Sequence, residues 1–372
     1  MSDDALYERY QRQMLLKEFG ERGQRQLLQS KILVIGAGGL GCAALPYLVA
    51  AGAGMVGIAD DDVVSLNNLH RQVLFSMDDI GLSKVEIASD KLKRLNPDIN
   101  IVSLNLRLTN QNALDIIQDY DVIIDGTDNF SSRYMINDAC MLLNKPLVFG
   151  AVSQFEGQVA VFNYGHNVTR GVNYRDLFPH PPKENEVLNC AEAGVLGVLP
   201  GIIGTMQANE AIKIITGIGE PLVDRLLTYN ALTNHTYTLK LSVNKEADPL
   251  IPKTKKEFKD TDYDWLCSSP LNQAMEISVD MFEDLLEKNN VTIVDVREYG
   301  EQPAIREFKH VQIPLSQLKG QQRSFNGDTI IVFCQTGRRS LEAVEILKNN
   351  GEHSKKIFSL KGGITEWKRL KK

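Results

Sequence analysis

The segment Gly36-Ala37-Gly38-Gly39-Leu40-Gly41 follows directly on an apolar run, Lys31–Gly36, and opens a helix-length stretch, Leu40–Ala51. Glycine in the G-x-G-x-x-G spacing lets the backbone turn tightly after a strand and approach a phosphate. The helix that follows then presents its free N–H groups to the anion. An acid comes 19 residues after Gly41: Asp60 ends the next apolar run, Met55–Asp60. That is where a nucleotide ribose would be hydrogen-bonded. The glycines Gly36, Gly38, Gly39 and Gly41 with Asp60 fit either a dinucleotide or ATP. A tight strand–helix turn without a ligand has the same spacing.

Strand-length apolar runs alternate with helix-length segments as far as Gly150. Lys31–Gly36, Met55–Asp60, Ile99–Asn105, Asp121–Asp125 and Pro146–Ala151 read as strands. Leu40–Ala51, Leu82–Leu95, Asn110–Gln118 and Ser131–Leu143 read as the helices between them. Unbroken apolar strands alternating with helices predict a parallel sheet covered on both faces. Gly157–Tyr164 and His235–Leu241 alternate polar and apolar residues and suggest antiparallel additions. Asn163–Asn189, with three prolines, reads as a long mobile loop.

Residues 246–275 are rich in Lys, Asp, Pro and Ser and read as a linker. A smaller α/β cycle follows. Its expected elements are helix Ser278–Lys288, strands Val291–Val296 and Thr329–Cys334, helix Arg339–Asn349, strand Lys356–Ser359 and helix Ile364–Leu370. The expected fold class is α/β: a Rossmann-like doubly wound sheet with an antiparallel extension over 1–245, and a second α/β domain over 276–372.

Composition narrows the function. Hydrophobic residues at 43% and charged residues at 24% are ordinary for a globular chain, which argues against disorder. The net charge of −6 is −8 before Glu276 and +2 after it, so no basic stripe suggests nucleic acid. The acidic start MSDDALYERYQRQ holds no apolar core for a leader. The uncharged stretch Ala193–Asn209 is short for a membrane span and contains Pro200, so it reads as buried helix. Five cysteines without a CxxC pair support neither a disulfide framework nor a four-cysteine metal site. The expectation is a cytoplasmic protein with free thiols, bound to neither membrane nor nucleic acid.

Charged residues near the ribose acid lean towards a triphosphate. Asn68 and Arg71 in SLNNLHRQ and Lys84 in GLSKVE add an amide and two cations. Asp128 lies just beyond the strand Asp121–Asp125, at the strand end where open α/β sheets bind ligands, and could hold Mg²⁺. The plainer readings are solvated cations and an Asp128 that only caps the next helix.

Two cysteines stand out. Cys190, in Asn189-Cys190-Ala191-Glu192, precedes an apolar helical segment, and a thiol at a helix start can have a lowered pKa. Cys334 ends the strand TIIVFC and opens the loop Gln335-Thr336-Gly337-Arg338-Arg339. Backbone N–H groups there form an anion nest, and Arg338 and Arg339 add positive field suited to a thiolate or persulfide. The C-x4-R spacing is one residue tighter than that of cysteine phosphatases, which suits a sulfur atom better than a phosphate. Cys42 and Cys140 lie on apolar helix faces and read as core, and Cys267 falls in the linker.

RYQRQ (Arg9–Gln13), GAGGLGC, the Asp60–Gln72 pattern DxDxVxxxNLxRQ, GxxKVE, DGTDNFxxRY and NCAEAGVLG together closely resemble the MoeB/ThiF group of the ubiquitin-activating superfamily over residues 5–243. From Glu276 on, VDVRE, HVQIPL, the Cys334 loop and LKGGI followed by Trp367 resemble a rhodanese domain, with its GHIPGA-like segment degenerate. The pairing is a MoeZ-like architecture.

The resemblance implies ATP- and Mg²⁺-dependent adenylation of the C-terminal glycine of a ubiquitin-like sulfur carrier of the MoaD/ThiS kind, ending in Gly-Gly. It implies that Asp60 binds the ribose and that Asn68, Arg71 and Lys84 bind the phosphates. Asp128 would bind Mg²⁺, and Arg12 would reach across a homodimer into the other copy's ATP site. Cys334 would carry a persulfide loaded by a cysteine desulfurase or thiosulfate, and Cys190 would accept or resolve the activated carrier. The product thiocarboxylate would serve molybdopterin, thiamine or cysteine synthesis, or tRNA thiolation.

Where the family usually has CxxC, this chain has Asn173-Tyr174-Arg175-Asp176, and no cysteine lies near Asn244–Pro249. No structural zinc is therefore expected. An NAD-dependent dehydrogenase and a non-catalytic carrier-docking scaffold are the alternatives, separable by ATP–pyrophosphate exchange.

Overall fold

Strand β1 (Lys31–Ile35) sends side chains to two faces, and both are covered. Ile32 and Val34 enter one apolar cluster and Leu33 and Ile35 another, none more than 4% exposed. This double burial explains the unbroken apolar run. The computed structural model describes residues 3–165, 170–181, 194–266, 275–286, 290–318, 325, 327–349 and 355–371. These form two compact units, Met1–Cys267 and Ser268–Lys372.

In the first unit, α1 (Asp3–Met14) and α2 (Gly20–Gln29) precede β1. α3 (Gly39–Ala51), β2 (Met55–Ala59), α4 (Lys84–Leu95), β3 (Asn100–Leu104), α5 (Ala113–Ile117), β4 (Val122–Asp125), α6 (Phe130–Leu143) and β5 (Leu147–Ser153) follow. β6 (Glu156–Phe162), α7 (Tyr174–Leu177), α8 (Val198–Thr216), β7 (Arg225–Asn230) and β8 (His235–Lys240) complete the sheet, ordered β3-β2-β1-β4-β5-β6-β7-β8. β1 to β5 are parallel and β5 to β8 antiparallel. The strand order reverses between β1 and β4, which opens a crevice at their carboxyl ends. β7, not foreseen from the sequence, joins the two expected antiparallel strands into one sheet.

The described parts of two polar stretches are packed rather than loose. The 163–189 stretch, read as a mobile loop, contains α7, whose Tyr174 and Arg175 are buried. The Arg175 guanidinium holds Asp138 of α6 at both oxygens (2.8 and 2.7 Å) and lies over the Tyr134 ring. The expected linker also departs from its reading. Residues 245–250 form a 3-10 turn, followed by α9 (Lys255–Asp260) and α10 (Tyr263–Leu266). Phe258 is fully buried in the first unit's core, and the Tyr263 hydroxyl donates to Asp138 Oδ2 at 2.9 Å. Burying such an aromatic contributes about 1.5–3 kcal/mol, which outweighs the polar composition around it.

The second unit comprises β9 (Glu276–Ile277), α11 (Val279–Leu286), β10 (Val291–Asp295), β11 (Val311–Gln312), α12 (Leu315–Leu318), β12 (Thr329–Phe333), α13 (Arg338–Asn349), β13 (Lys356–Leu360) and α14 (Gly363–Leu370). Its sheet is all parallel, ordered β11-β10-β12-β13-β9. Buried Phe282, Phe333 and Trp367 line one face, and Val294, Val332 and Val344 the other.

Candidate nucleotide site and persulfide loop

The glycine loop sits in the crevice between β1 and β4, and its glycines serve different ends. Gly36 has φ +96°, and a Cβ there would meet Gly126 O at 2.8 Å. A Cβ on Gly41 would fall 2.0 Å from Gly36 O, so helix and strand touch backbone to backbone. A Cβ on Gly39 would strike Pro200 of α8. Gly38 differs: its nearest neighbours would be 3.9 Å away or more, and its φ is an ordinary −79°. Nothing inside the chain requires glycine at position 38, whereas a ligand lying against the backbone would.

Asp60 braces this loop. Its Oδ2 accepts from Ala37 N–H at 2.7 Å and its Oδ1 from Asp62 N–H at 2.8 Å, while burial raises its pKa. Lys84 opens α4, where a cation opposes the helix dipole. It is 4% exposed and pairs with Asp62 Oδ2 at 2.8 Å, a partner not foreseen from the sequence. Arg71 donates to Asn67 O at 2.9 Å, and its Cγ would lie 3.6 Å from a Gly39 Cβ, so the side chain flanks the loop. Asn68 donates to Asn67 Oδ1. Gln72 is also buried beside the loop: its Nε2 would be 3.9 Å from a Gly38 Cβ, and its Oε1 has no partner. The spacing drew notice to Arg71 but not to its neighbour Gln72.

Asp128 lies on the turn after β4, whose Gly126 packs against Gly36. It is exposed, and among the described residues nothing hydrogen-bonds to it. It is not the helix cap, because Asn129 Oδ1 accepts from Ser132 N–H at 2.9 Å and caps α6. Buried Asp125 fixes the turn, its Oδ1 accepting from Thr127 N–H (2.9 Å) and Oγ1 (2.7 Å). Arg12 is exposed in the last turn of α1 without a partner among the described residues. Cys190 lies outside the described residues. Cys42 and Cys140 are fully buried, and burial pushes the Cys42 thiol up to about 12.

The donors at the two expected cysteine-pair positions do not fit zinc, which wants thiolate or imidazole ligands. Asn173 and Asp176 form a capping box at α7, and Asp176 Oδ1 accepts from Asn244 N–H at 2.7 Å. Arg170 Nε donates to Asp248 Oδ1 at 2.6 Å, so the cation joining these segments is a guanidinium.

In the second unit Cys334 follows β12 and is 1% exposed. Its Sγ accepts from Gly337 N–H at 3.1 Å, and the Ser340 hydroxyl lies 3.6 Å away. Thr336 is exposed and Gln335 half-buried, its Nε2 donating to Thr365 Oγ1 at 3.1 Å. Gly337 takes φ +94° against Gly362, where a side chain would be strained. The expected field of two arginines needs correction. Arg339 Nη1 and Nη2 pair with Glu301 Oε1 and Oε2 at 2.5 and 2.8 Å, a carboxylate not picked out in sequence. Arg338 starts α13, and its side chain lies outside those described.

A glycine loop at a topological switch point and a nested cysteine after a parallel strand define a nucleotide-using enzyme joined to a thiol-based transferase. Comparison with known proteins agrees. Residues 10–250 match the ThiF family and 278–370 the rhodanese-like domain. The chain belongs to the ThiF family and is an adenylyltransferase with a C-terminal sulfurtransferase domain.

It is 38% identical over 393 residues to the Zea mays protein named adenylyltransferase and sulfurtransferase MOCS3-1, covering 98% of this chain and 82% of that one. It is 50% identical over 226 residues to the sulfur carrier protein adenylyltransferase of Thermus thermophilus, covering 60% of this chain and 83% of that one. Among solved structures, E. coli MccB with MccA-N7isoASN shares the fold at a TM-score of 0.56 and 20% identity, covering 66% of this chain and 73% of that one.

Proposed function

We propose that the first unit adenylates the C-terminal glycine of a small ubiquitin-like sulfur carrier ending in Gly-Gly, and that Cys334 then supplies sulfur as a persulfide. The name of the Thermus relative supports the carrier, and membership of the ThiF family, with the cations Arg71 and Lys84, supports ATP over a dinucleotide. A carrier carboxylate oxygen attacks the α-phosphate of ATP, the bond to the β-phosphate breaks, and pyrophosphate leaves. Arg71 and Lys84 offset the phosphate charge, Lys84 by turning from Asp62. Asp60 takes the ribose and Asn68 assists at the phosphates. Asp128 would hold Mg²⁺, which supplies charge neutralisation on the phosphates when bound. In a homodimer, Arg12 would serve the other copy's site.

The terminal sulfur of the Cys334 persulfide then attacks the acyl carbon, and AMP leaves. The resulting acyl disulfide is opened by a thiol attacking Cys334 Sγ. This frees the carrier thiocarboxylate and leaves a disulfide on the attacking thiol, which in this reading is Cys190. Carrying both activities in one chain raises the effective concentration of one at the other. A cytoplasmic setting suits the free thiols, and no described helix is long and apolar enough to cross a membrane.

The observation that carries the reading is Asp128, exposed and unpartnered on the turn that packs against the glycine loop. ATP–pyrophosphate exchange with a purified Gly-Gly-ended carrier tests it. Carrier-dependent exchange is expected, and no exchange with any such carrier would refute it.

A further inference from the structure

We propose that Glu301 sets the sulfur-donor preference of the Cys334 loop, disfavouring dianionic donors such as thiosulfate relative to hydropersulfides, which carry no sulfonate. The inference rests on the reading of Cys334 as the persulfide site.

Arg339, five residues after Cys334 at the start of α13, is the loop cation whose side chain is described, and its charge lies close enough to interact with the Cys334 thiol. Both of its terminal nitrogens are taken by Glu301, at 2.5 and 2.8 Å. Glu301 is itself fixed, because its Oε1 also accepts from Glu298 N–H at 2.7 Å. The paired side chains remain 35% and 30% exposed, so the pair stands where solvent and small donors reach it. The other described guanidinium beside the loop, Arg297, is committed to buried Asp295 and to Pro303 O at 3.0 Å. It reaches the loop only through Gln335 Oε1, at 3.4 Å. Glu298 adds a second carboxylate near Arg339.

The two donor classes differ in what they ask of this arrangement. With thiosulfate, the Cys334 thiolate attacks the outer sulfur, the S–S bond breaks, and sulfite leaves with the electron pair. The approaching sulfonate needs a two-point cation, and the terminal fork of Arg339 is open to it only when Glu301 lets go, while the remaining N–H edge carries a charge that Glu301 already neutralises. The displaced carboxylate then stays beside the incoming dianion, and like charges repel. With a hydropersulfide R–S–SH, the thiolate attacks the terminal sulfur, R–S⁻ leaves, and the proton passes to the leaving thiolate. No sulfonate is bound, and the Glu301–Arg339 pair stays intact.

The test uses the full chain and follows the gain of one sulfur on Cys334 by intact mass, with thiosulfate and with 2-hydroxyethyl hydropersulfide as donors. In Glu301→Gln the ratio of thiosulfate to hydropersulfide rates should rise about tenfold or more, as one charge-assisted contact becomes available. Glu301→Asp, too short to hold both nitrogens, should move the ratio the same way by less, and it replaces the first variant if that one fails to fold. An unchanged or lower ratio in a variant that stays folded and unfolds cooperatively overturns the role of Glu301. A wild-type chain that gains no sulfur at Cys334 from either donor refutes the persulfide reading itself, and this inference with it.

Discussion

The carboxylate of Asp176 is held at both oxygens by the guanidinium of Arg170, at 2.6 and 2.7 Å, in a position where its side chain is only 1% exposed. Through Asn244 and Asp248 the same pair ties residues 170–176 to residues 244–248. It raises the pKa of Arg170, chiefly by hydrogen bonding to Asp176. Removing Asp176 leaves Arg170 with Asp248 alone and takes the acceptor from the Asn173 and Asn244 N–H groups. Asp176→Ala should therefore lower the stability of the first unit by about 1–3 kcal/mol. A strong chelator should leave the wild-type unfolding temperature unchanged. A chelator-induced drop, read by calorimetry, would show that a metal does hold these segments.

Asp128→Ala should separate chemistry from folding. The side chain is exposed and makes no hydrogen bond or ion pair among the described residues, so stability should change by no more than about 0.5 kcal/mol. Pyrophosphate exchange should fall by about 100-fold or more, on the scale of losing an electrostatic stabiliser of the transition state. Full exchange in a folded Asp128→Ala would reject its role.

The glycines give a paired comparison. Gly41→Ala forces a methyl group to within 2.0 Å of Gly36 O and should destabilise the unit by about 1–3 kcal/mol or more. Gly38→Ala has room in the chain and should fold as wild type, yet its methyl group would intrude on a bound phosphate. Calorimetry alongside an ATP-binding titration checks both. Normal ATP affinity in Gly38→Ala would place the phosphates elsewhere.

Much of this was legible from residue order. The Lys31–Gly41 strand–turn–helix and the Cys334 loop announce themselves because backbone geometry dictates glycine and the nest dictates spacing. The partners of charged groups were not legible. Asp62, Glu301 and Arg170 are ordinary surface-type residues in sequence, and only the tertiary fold brings them to Lys84, Arg339 and Asp176. Phe258 and Tyr263 were hidden for a related reason. A polar stretch with two well-placed aromatics still packs, because burial of a few rings outweighs the composition of their neighbours.

Acid should act on the second unit through Glu301. The Arg339 guanidinium holds its carboxyl at about 2, below the ordinary 4.5. A depressed carboxyl pKa contributes stability that is fully present above the unfolded value and is lost as pH falls through the folded one. The Glu301–Arg339 contribution should therefore be intact above about pH 4.5 and fade towards pH 2. Unfolding temperature against pH, compared with Glu301→Gln, should show that this component is missing from the variant.

Thiol labelling should leave the two core cysteines untouched. With its pKa near 12, Cys42 is almost wholly protonated at pH 8, and Cys140 is pushed higher still by burial. Iodoacetamide at pH 8 should leave both unmodified in the folded chain, as peptide mass mapping would show. Cys334→Ala should abolish persulfide formation while the rest of the labelling pattern persists.

The glycine turn follows β1, Asp128 follows β4 and Cys334 follows β12, so these three each stand in a connecting segment at the carboxyl end of a parallel strand. The strands behind them carry mostly buried apolar residues, which vary chiefly under one constraint, the filling of volume. The connecting segments vary under another, the placing of charge and sulfur. A chain built this way can change carrier, donor or metal dependence by exchanging a few turn residues while its interior stays as it is; Asp176 and Asp248, at the expected cysteine-pair positions, are instead held by Arg170.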